Sequence, residues 1–191
     1  MAITRRDAQH HTYGEYLTWP EGNYAELIDG TAYIREPPAP SRRHQEVAGE
    51  LYLQLRLALD SKSDRVYIAP FDVRLPRSGE ADELIDTVVQ PDVLIVRDLS
   101  KLDPRGMRGA PEWVAEVLSP STASHDKIGK IPVYERAGVA EVWLVDPTAR
   151  TLDVYHLQGG AYGPPRVVEM KGRTPIATLP GVVIDWDRLP P

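Results

Sequence analysis

The spacing of hydrophobic residues along the chain predicts many short strands and two main helices. From Arg42 to about Leu59, apolar residues recur every three or four positions, which is typical of a helix with one buried face. Shorter apolar runs bounded by Gly, Pro and Asp are typical of strands. The runs that we predict as strands lie at residues 25–34, 66–76, 88–96, 113–118, 140–147 and 151–170. Because strands outnumber helices, the pattern predicts an α+β domain with a central mixed sheet flanked by the two helices.

Turn residues divide these runs further. Asp29-Gly30 is a favoured pair for a two-residue turn, so we predict an N-terminal hairpin around it, and a second hairpin through Gly159-Gly160. A polar segment with Ser121 and Thr122 as capping groups predicts the entry to the second helix, which Pro132 must shorten or kink and Gly138 ends. We expect a flexible N-terminus over residues 1–11 and a single domain over residues 12–191.

The composition is that of an ordinary globular domain and narrows the possible locations and metals. The sequence has neither a run of about 18 apolar residues nor the apolar stretch of a secretion signal, so we expect a cytoplasmic protein with no membrane association. Without cysteine there is no thiolate zinc site, and a bound metal would be held by oxygen atoms. The formal net charge of -6 argues against an extended nucleic-acid surface but allows a small local site.

Two acidic residues lie inside apolar runs that we predict as strands. Asp92 follows Pro91 among valines, and Glu116 lies between Trp113 and Leu118. A buried carboxylate is costly unless it gains a proton, a partner or a metal. Strand alternation places Glu116 on one side with Leu118, and Asp92 with Leu94, so the two acids can converge if their strands are neighbours. Spacing alone leaves two explanations open, a divalent cation between the acids or a buried basic partner.

The order of these residues resembles the Uma family of restriction-endonuclease-like proteins, which belongs to the PD-(D/E)xK nuclease superfamily. The resemblance spans roughly residues 12 to 160. It is carried by ELIDG at 26–30, His44, Pro91-Asp92, the run from Glu116 to Thr122, Asp126, Lys130, Tyr134, Gly138-Val139 and the strand-like VWLVDP. It implies a restriction-endonuclease-like core and hydrolysis of the phosphodiester bonds of a nucleic acid, most simply DNA.

The resemblance also implies roles for individual residues. Asp92 and Glu116 would bind Mg²⁺ or Mn²⁺ together with the backbone carbonyl of Val117, and Lys130 would stand near the attacking water. The superfamily pattern has a lysine two residues after the second acid, but this chain has Leu118 there, so Lys130 must supply the cation from the following helix. A simple ion pair of a solvated Lys130 with Asp126 is the alternative.

Two further residues are candidates for the same cleft. His44 heads the buried stripe of the first long helix, where it either faces the site or is a structural histidine. Glu26 either reaches the site, as the resemblance implies, or is an exposed charge on an edge strand.

Two expectations concern the protein as a whole. A non-catalytic scaffold that keeps a nuclease-like fold is the alternative function, because the net charge is negative and the usual lysine is replaced. The strands at 140–147 and 151–157 are expected to leave an edge that pairs with a second copy, which predicts a homodimer.

Overall fold

The computed structural model describes residues 2–7, 9–20, 24–36, 41–59, 63–120 and 123–190. The α-helices are α1 Tyr13–Tyr16, α2 Arg42–Ala58 and α3 Ile131–Ala137, the last preceded by a π-helix at His125–Lys130, and short 3₁₀ helices lie at Asp82–Leu84, Leu99–Lys101 and Trp186–Arg188. The strands are β1 Ala2–Asp7, β2 Tyr24–Ile28, β3 Thr31–Glu36, β4 Arg65–Ile68, β5 Val73–Arg74, β6 Val88–Val89, β7 Val93–Val96, β8 Leu102–Asp103, β9 Gly106–Arg108, β10 Trp113–Val117, β11 Glu141–Asp146, β12 Thr151–Gln158, β13 Ala161–Tyr162, β14 Arg166–Glu169, β15 Arg173–Pro175 and β16 Val183–Asp185. The predicted capping groups Ser121 and Thr122 lie outside the described residues. Within the N-terminal segment that we expected to be flexible, Ala2–Asp7 form a strand.

Two large sheets contain most of the strands. In the described part of the chain, the first sheet has the order β1-β3-β2-β6-β5-β9-β8, and the second has the order β13-β12-β11-β10-β7-β4 with β14 paired to β12. Each sheet is mixed, because β5 pairs with β9 and β10 with β11 in parallel while the other pairs are antiparallel. The predicted α+β class is confirmed. The structure has two large mixed sheets where we predicted a single central one.

Prolines divide two of the predicted strands between the sheets. The run at 66–76 supplies β4 to the second sheet and β5 to the first, and the run at 88–96 supplies β6 to the first and β7 to the second. The prediction of one continuous strand in each run is wrong, because Pro70 and Pro91 have no N–H to continue a ladder. The chain therefore passes from one sheet to the other at residues 90–92, where the candidate Asp92 lies.

The predicted N-terminal hairpin is present and brings Glu26 into the first sheet. Strands β2 and β3 pair in register from Tyr24↔Arg35 to Ile28↔Thr31. The turn residues Asp29 and Gly30 have φ values of 50° and 77°, the left-handed geometry that a two-residue turn of this kind requires.

Helix α2 covers one face of the second sheet and begins with a capped turn. The Ser41 side chain accepts a hydrogen bond from the His44 N–H, which satisfies one free donor of the first turn. Val47, Leu51 and Leu55 are buried on this face together with the β10 residues Trp113, Ala115 and Val117. The periodicity of the sequence therefore located both the helix and its buried stripe.

The opposite face of the second sheet packs against α3 and the first sheet. Val114 and Leu118 belong to this second apolar cluster, together with Tyr134 and Val133 of α3. Pro132 lies in the first turn of α3, directly after the π-helix, and Gly138 ends the helix in a left-handed conformation.

The strands that we expected to leave an open edge are both internal. β11 lies between β10 and β12, and the other side of β12 is covered by β13 and β14. The predicted edge is therefore wrong, and the homodimer stays a prediction without that support. No helix among the described residues has the length and apolar character needed to cross a membrane.

Candidate active site

Asp92 directly precedes β7, the strand that neighbours β10, and Glu116 lies on β10. β7 and β10 pair antiparallel with Val93 opposite Ala115, so the next pair along the ladder would be Asp92 and Glu116. The Val117 N–H donates a hydrogen bond of 2.7 Å to Asp92 Oδ2, which fixes the carboxylate against β10. The two acids differ in burial, since the Asp92 side chain is 15% exposed while the Glu116 residue is 1% exposed.

Lys130 occupies the centre of the site and is fully buried. Its ammonium nitrogen lies 3.0 Å from Glu116 Oε1 and 2.9 Å from Glu26 Oε1. A third carboxylate, Asp126, lies 3.4 Å away. The alternative of a solvated pair between Lys130 and Asp126 is wrong, because both residues are buried.

A π-helix carries both Asp126 and Lys130. Residues 125–130 form this wider helix directly before α3, and residues four apart lie on the same side of it, as they would in an ordinary α-helix. Residues three apart diverge in this wider helix, so Lys127 does not share the side of Lys130. Lys127 turns to the surface, where its Nζ lies 3.1 Å from Asp153 Oδ2.

Glu26 reaches the site from the first sheet. Its side chain is fully buried, so the alternative of an exposed edge charge is wrong. The Gln90 N–H donates to Glu26 Oε1 at 2.7 Å, and His125 Nε2 lies 2.9 Å from Oε2. Contacts with Lys130, Gln90 and His125 hold both oxygens in place.

Tyr134 fixes the position of Glu116 from α3. Its hydroxyl donates a hydrogen bond of 2.5 Å to Glu116 Oε1, the same oxygen that accepts from Lys130. Burial and the charge of Glu116 hold the pKa of Tyr134 well above its ordinary value, so this phenol stays a donor. The sequence analysis named Tyr134 only among the residues of the resemblance and did not predict this contact, although the spacing of four residues from Lys130 is a usable signal.

His44 contacts the other acid from α2. Its Nε2 donates to Asp92 Oδ2 at 3.2 Å. The buried Nδ1 of His44 has no hydrogen-bond partner within the described part of the chain. Burial alone would raise the pKa of Asp92, but the His44 hydrogen bond, the charge of Lys130 and the Val117 N–H hold it below the ordinary value.

Negative charge exceeds positive charge in this group of residues. We call Glu26, Asp92, Glu116 and Asp126 the carboxylate cluster. Lys130 contacts Glu26, Glu116 and Asp126, and its charge lowers the pKa of Asp92. Burial raises the pKa of Glu116 to about 8; the Lys130 charge opposes this rise, and the charges of Asp126, Asp92 and Glu26 add to it. The cluster therefore takes up a proton at neutral pH when no further cation is present.

The donor chemistry of the carboxylate cluster fits a divalent cation. Asp92, directly before β7, and Glu116, on the adjacent strand β10, supply hard oxygen atoms. A divalent cation would neutralise the surplus charge that adds to the effect of burial on the pKa of Glu116. Within the described ranges, no three His, Asp or Glu side chains are grouped closely enough to hold an ion by themselves. Two carboxylates would suit Mg²⁺, which keeps several waters in proteins. The Val117 carbonyl belongs to the residue whose N–H already contacts Asp92.

Comparison with known proteins places the chain in a family. The model of the Uma2 family, described as "Putative restriction endonuclease", matches residues 13–187. This chain belongs to the Uma2 family. The family that the sequence resemblance indicated is thereby confirmed, and the restriction-endonuclease-like fold is confirmed with it.

A solved structure supports the fold of this Uma2 chain over nearly its whole length. It is a "putative nuclease belonging to DUF820" from Anabaena variabilis, and the two superpose with a TM-score of 0.71 at 20% sequence identity. The match covers 93% of this chain and 96% of the other. No curated protein matches the sequence.

Proposed function

We propose that this Uma2-family protein is a metal-dependent nuclease that hydrolyses phosphodiester bonds, with DNA as the first substrate to test. The observation that carries the proposal is the Lys130 ammonium, which lies 3.0 Å from Glu116 and 2.9 Å from Glu26 in the buried carboxylate cluster. The family description and the nuclease neighbour support the same reaction class.

Asp92 and Glu116 would hold Mg²⁺ or Mn²⁺ in this reaction, with the Val117 carbonyl as a further oxygen donor. When bound, such an ion polarises a phosphoryl oxygen and lowers the pKa of a bound water. His44 and the Val117 N–H orient Asp92, and the Tyr134 hydroxyl orients Glu116. These contacts prepare the two carboxylates before any substrate arrives.

Lys130 replaces the lysine that the superfamily pattern puts on the strand. Leu118 occupies that strand position and packs in the second apolar cluster. Lys130 reaches Glu116 Oε1 from the π-helix, so an ammonium still lies beside the second acid. Because three carboxylates surround this ammonium, it would exchange one of these contacts to donate a hydrogen bond to the attacking water or to the phosphoryl oxygen that gains charge.

Cleavage assays with matched variants test the proposal. DNA and RNA are incubated with Mg²⁺ or Mn²⁺ and with the wild type, Asp92→Ala or Glu116→Gln. Glu141→Gln is the matched control, because Glu141 is also fully buried but lies on β11, where Trp143 and Thr178 donate to it. We expect cleavage by the wild type and the control and none by the two site variants. Equal activity in all four proteins would contradict the proposal.

A non-catalytic scaffold is the second candidate, and one observation favours it. Glu116 Oε1 is already shared by Lys130 and Tyr134, and no group of three His, Asp or Glu ligands is present in the described ranges. Calorimetric titration with Mn²⁺ separates the two candidates. The scaffold predicts no binding at millimolar Mn²⁺, and the nuclease predicts binding that Asp92→Ala abolishes.

A further inference from the structure

An open cleft of about 520 Å³ lies next to the carboxylate cluster and takes no part in the contacts described so far. Its size falls in the range of sites that take a nucleotide-sized ligand. The residues that give the cleft its chemistry are Tyr16, Tyr67, Phe71, Asp72, Gln90 and Arg105. We call it the aromatic cleft.

Two stacked rings form one wall of the aromatic cleft. The centroids of Tyr67 and Phe71 lie 4.0 Å apart, and the ring planes differ by 12°. Both side chains are half-buried, so the pair packs on the second apolar cluster and still borders solvent. An exposed flat ring is a platform on which a nucleobase can stack.

Hydrogen-bond acceptors lie beside these rings. Asp72 Oδ1 accepts from Gln90 Nε2 at 2.8 Å and from the Tyr16 hydroxyl at 3.2 Å. In the described ranges, Asp72 Oδ2 and Gln90 Oε1 have no hydrogen-bond donor, and Asp72 makes no ion pair. Two open acceptors suit a ligand edge that donates N–H groups, and guanine presents two such groups on its Watson–Crick edge.

An arginine without an ion pair completes the cleft. Arg105 is exposed, and within the described part of the chain no carboxylate oxygen lies within 4.0 Å of its guanidinium, although its charge helps to lower the pKa of Asp103. The neighbouring Asp103 is engaged by Arg74, whose Nη2 lies 2.6 Å from Asp103 Oδ2. Arg105 is therefore available to a phosphate, which a guanidinium binds through paired hydrogen bonds.

The aromatic cleft is joined to the carboxylate cluster through one residue. The Gln90 side chain contacts Asp72 in the cleft, while its N–H donates to Glu26 Oε1 at 2.7 Å. Asp92 follows two residues later on the same segment. A nucleotide in the cleft would therefore be adjacent to the carboxylates that hold the proposed ion.

We infer that the aromatic cleft binds a guanine nucleotide of the substrate strand. The base stacks on the Tyr67–Phe71 pair, its N–H edge faces Asp72 and Gln90, and its phosphate pairs with Arg105. That the nucleotide belongs to a substrate strand rests on the proposed nuclease function. Binding of a free nucleotide in the cleft does not depend on cleavage.

Titration of the metal-free protein with GMP, UMP and ribose 5-phosphate tests this inference by ligand-observed NMR. We expect GMP to bind most tightly, with saturation transfer to the guanine H8 proton. Asp72→Asn should weaken GMP binding about tenfold or more, because it exchanges a charged acceptor for an amide. Phe71→Leu keeps an apolar side chain without a stacking face and should weaken GMP binding as well.

Tyr155→Leu is the matched control, because it removes one ring of another aromatic pair, Tyr155 and Tyr162, outside the cleft. It should bind GMP like the wild type, and circular dichroism melts confirm that each variant is folded. Equal binding of GMP and ribose 5-phosphate, or no GMP binding at millimolar concentration, would overturn the inference. If the protein cleaves DNA but does not bind GMP, the guanine site is contradicted and the proposed nuclease function stands. If it binds GMP through Asp72 but cleaves no nucleic acid, the nuclease function is contradicted and the guanine site stands.

Discussion

The Lys130 ammonium lies 3.0 Å from Glu116 Oε1, and both residues are buried at 0% and 1% exposure. In the proposed nuclease site, this ammonium from the π-helix takes the place of the lysine that the superfamily pattern puts at the position of Leu118.

Removing the Lys130 charge should destabilise the protein strongly. Lys130→Met would leave Glu26, Glu116 and Asp126 buried without their shared cation, and such a loss costs about 3–5 kcal/mol. Urea unfolding at neutral pH measures the difference. Lys127→Met is the control, since the half-exposed pair with Asp153 contributes about 1 kcal/mol or less. Similar losses in both variants would contradict the assigned role of Lys130.

Glu116 should make the stability of the metal-free protein fall as the pH rises. Its pKa is about 8 in the folded chain, against an ordinary value of 4.5, so folding favours the protonated form. This contribution is fully present below about pH 4.5 and is lost as the pH rises through about 8. In that window the slope is at most about 1.4 kcal/mol per pH unit.

Glu116→Gln tests that pH dependence, because the amide has no proton to lose. The variant should lack the slope and be more stable than the wild type above about pH 8. Chemical denaturation in EDTA across the pH range gives the free energies of unfolding. Glu141→Gln should retain the slope of the wild type, and an unchanged slope in Glu116→Gln would assign it to another group.

The Tyr134 hydroxyl should be needed for positioning as well as for stability. Tyr134→Phe removes the 2.5 Å hydrogen bond to Glu116 Oε1 and should cost about 1–2 kcal/mol of stability. Because a donor to the carboxylate is lost, the pKa of Glu116 should rise further and the pH profile of cleavage should move to higher pH. A profile that stays in place while stability falls would indicate packing alone.

Metal binding should release a proton at neutral pH. A Glu116 pKa of about 8 favours the protonated carboxyl there in the metal-free protein, and a divalent ion on the carboxylate would displace that proton. Calorimetric titration with Mn²⁺ in two buffers of different ionisation enthalpy measures the number of protons released. We expect close to one proton in the wild type and none in Glu116→Gln, and a value of zero in both would contradict the ligand assignment.

The fold was predictable wherever local geometry was regular. Asp29-Gly30 specified the hairpin because few residue pairs adopt two successive positive φ angles, and the spacing from Val47 to Leu55 specified α2. Strand alternation placed Glu116 on the correct face of β10. The effect of Pro70 and Pro91 was not predictable in the same way. Each proline divides its apolar run between two sheets, and which sheet each half joins depends on tertiary pairing.

The sequence predicted which residues belong to the candidate site better than it predicted the contacts between them. The ordered resemblance singled out Glu26, Asp92, Glu116 and Lys130, which the fold brings together. It did not predict the π-helix, because residues 125–130 include a single apolar residue, Ile128, and so offer no apolar spacing to interpret. His125 was missed for a different reason, since its contact with Glu26 joins residues far apart in sequence.

The carboxylate cluster also has a mechanical consequence for the whole domain. Glu26 is on β2 of the first sheet and Glu116 on β10 of the second, and the Lys130 ammonium touches both. This single side chain therefore joins the two sheets near the point where the backbone crosses from one to the other. A proton or an ion that enters the cluster is expected to change the strength of this contact between the sheets.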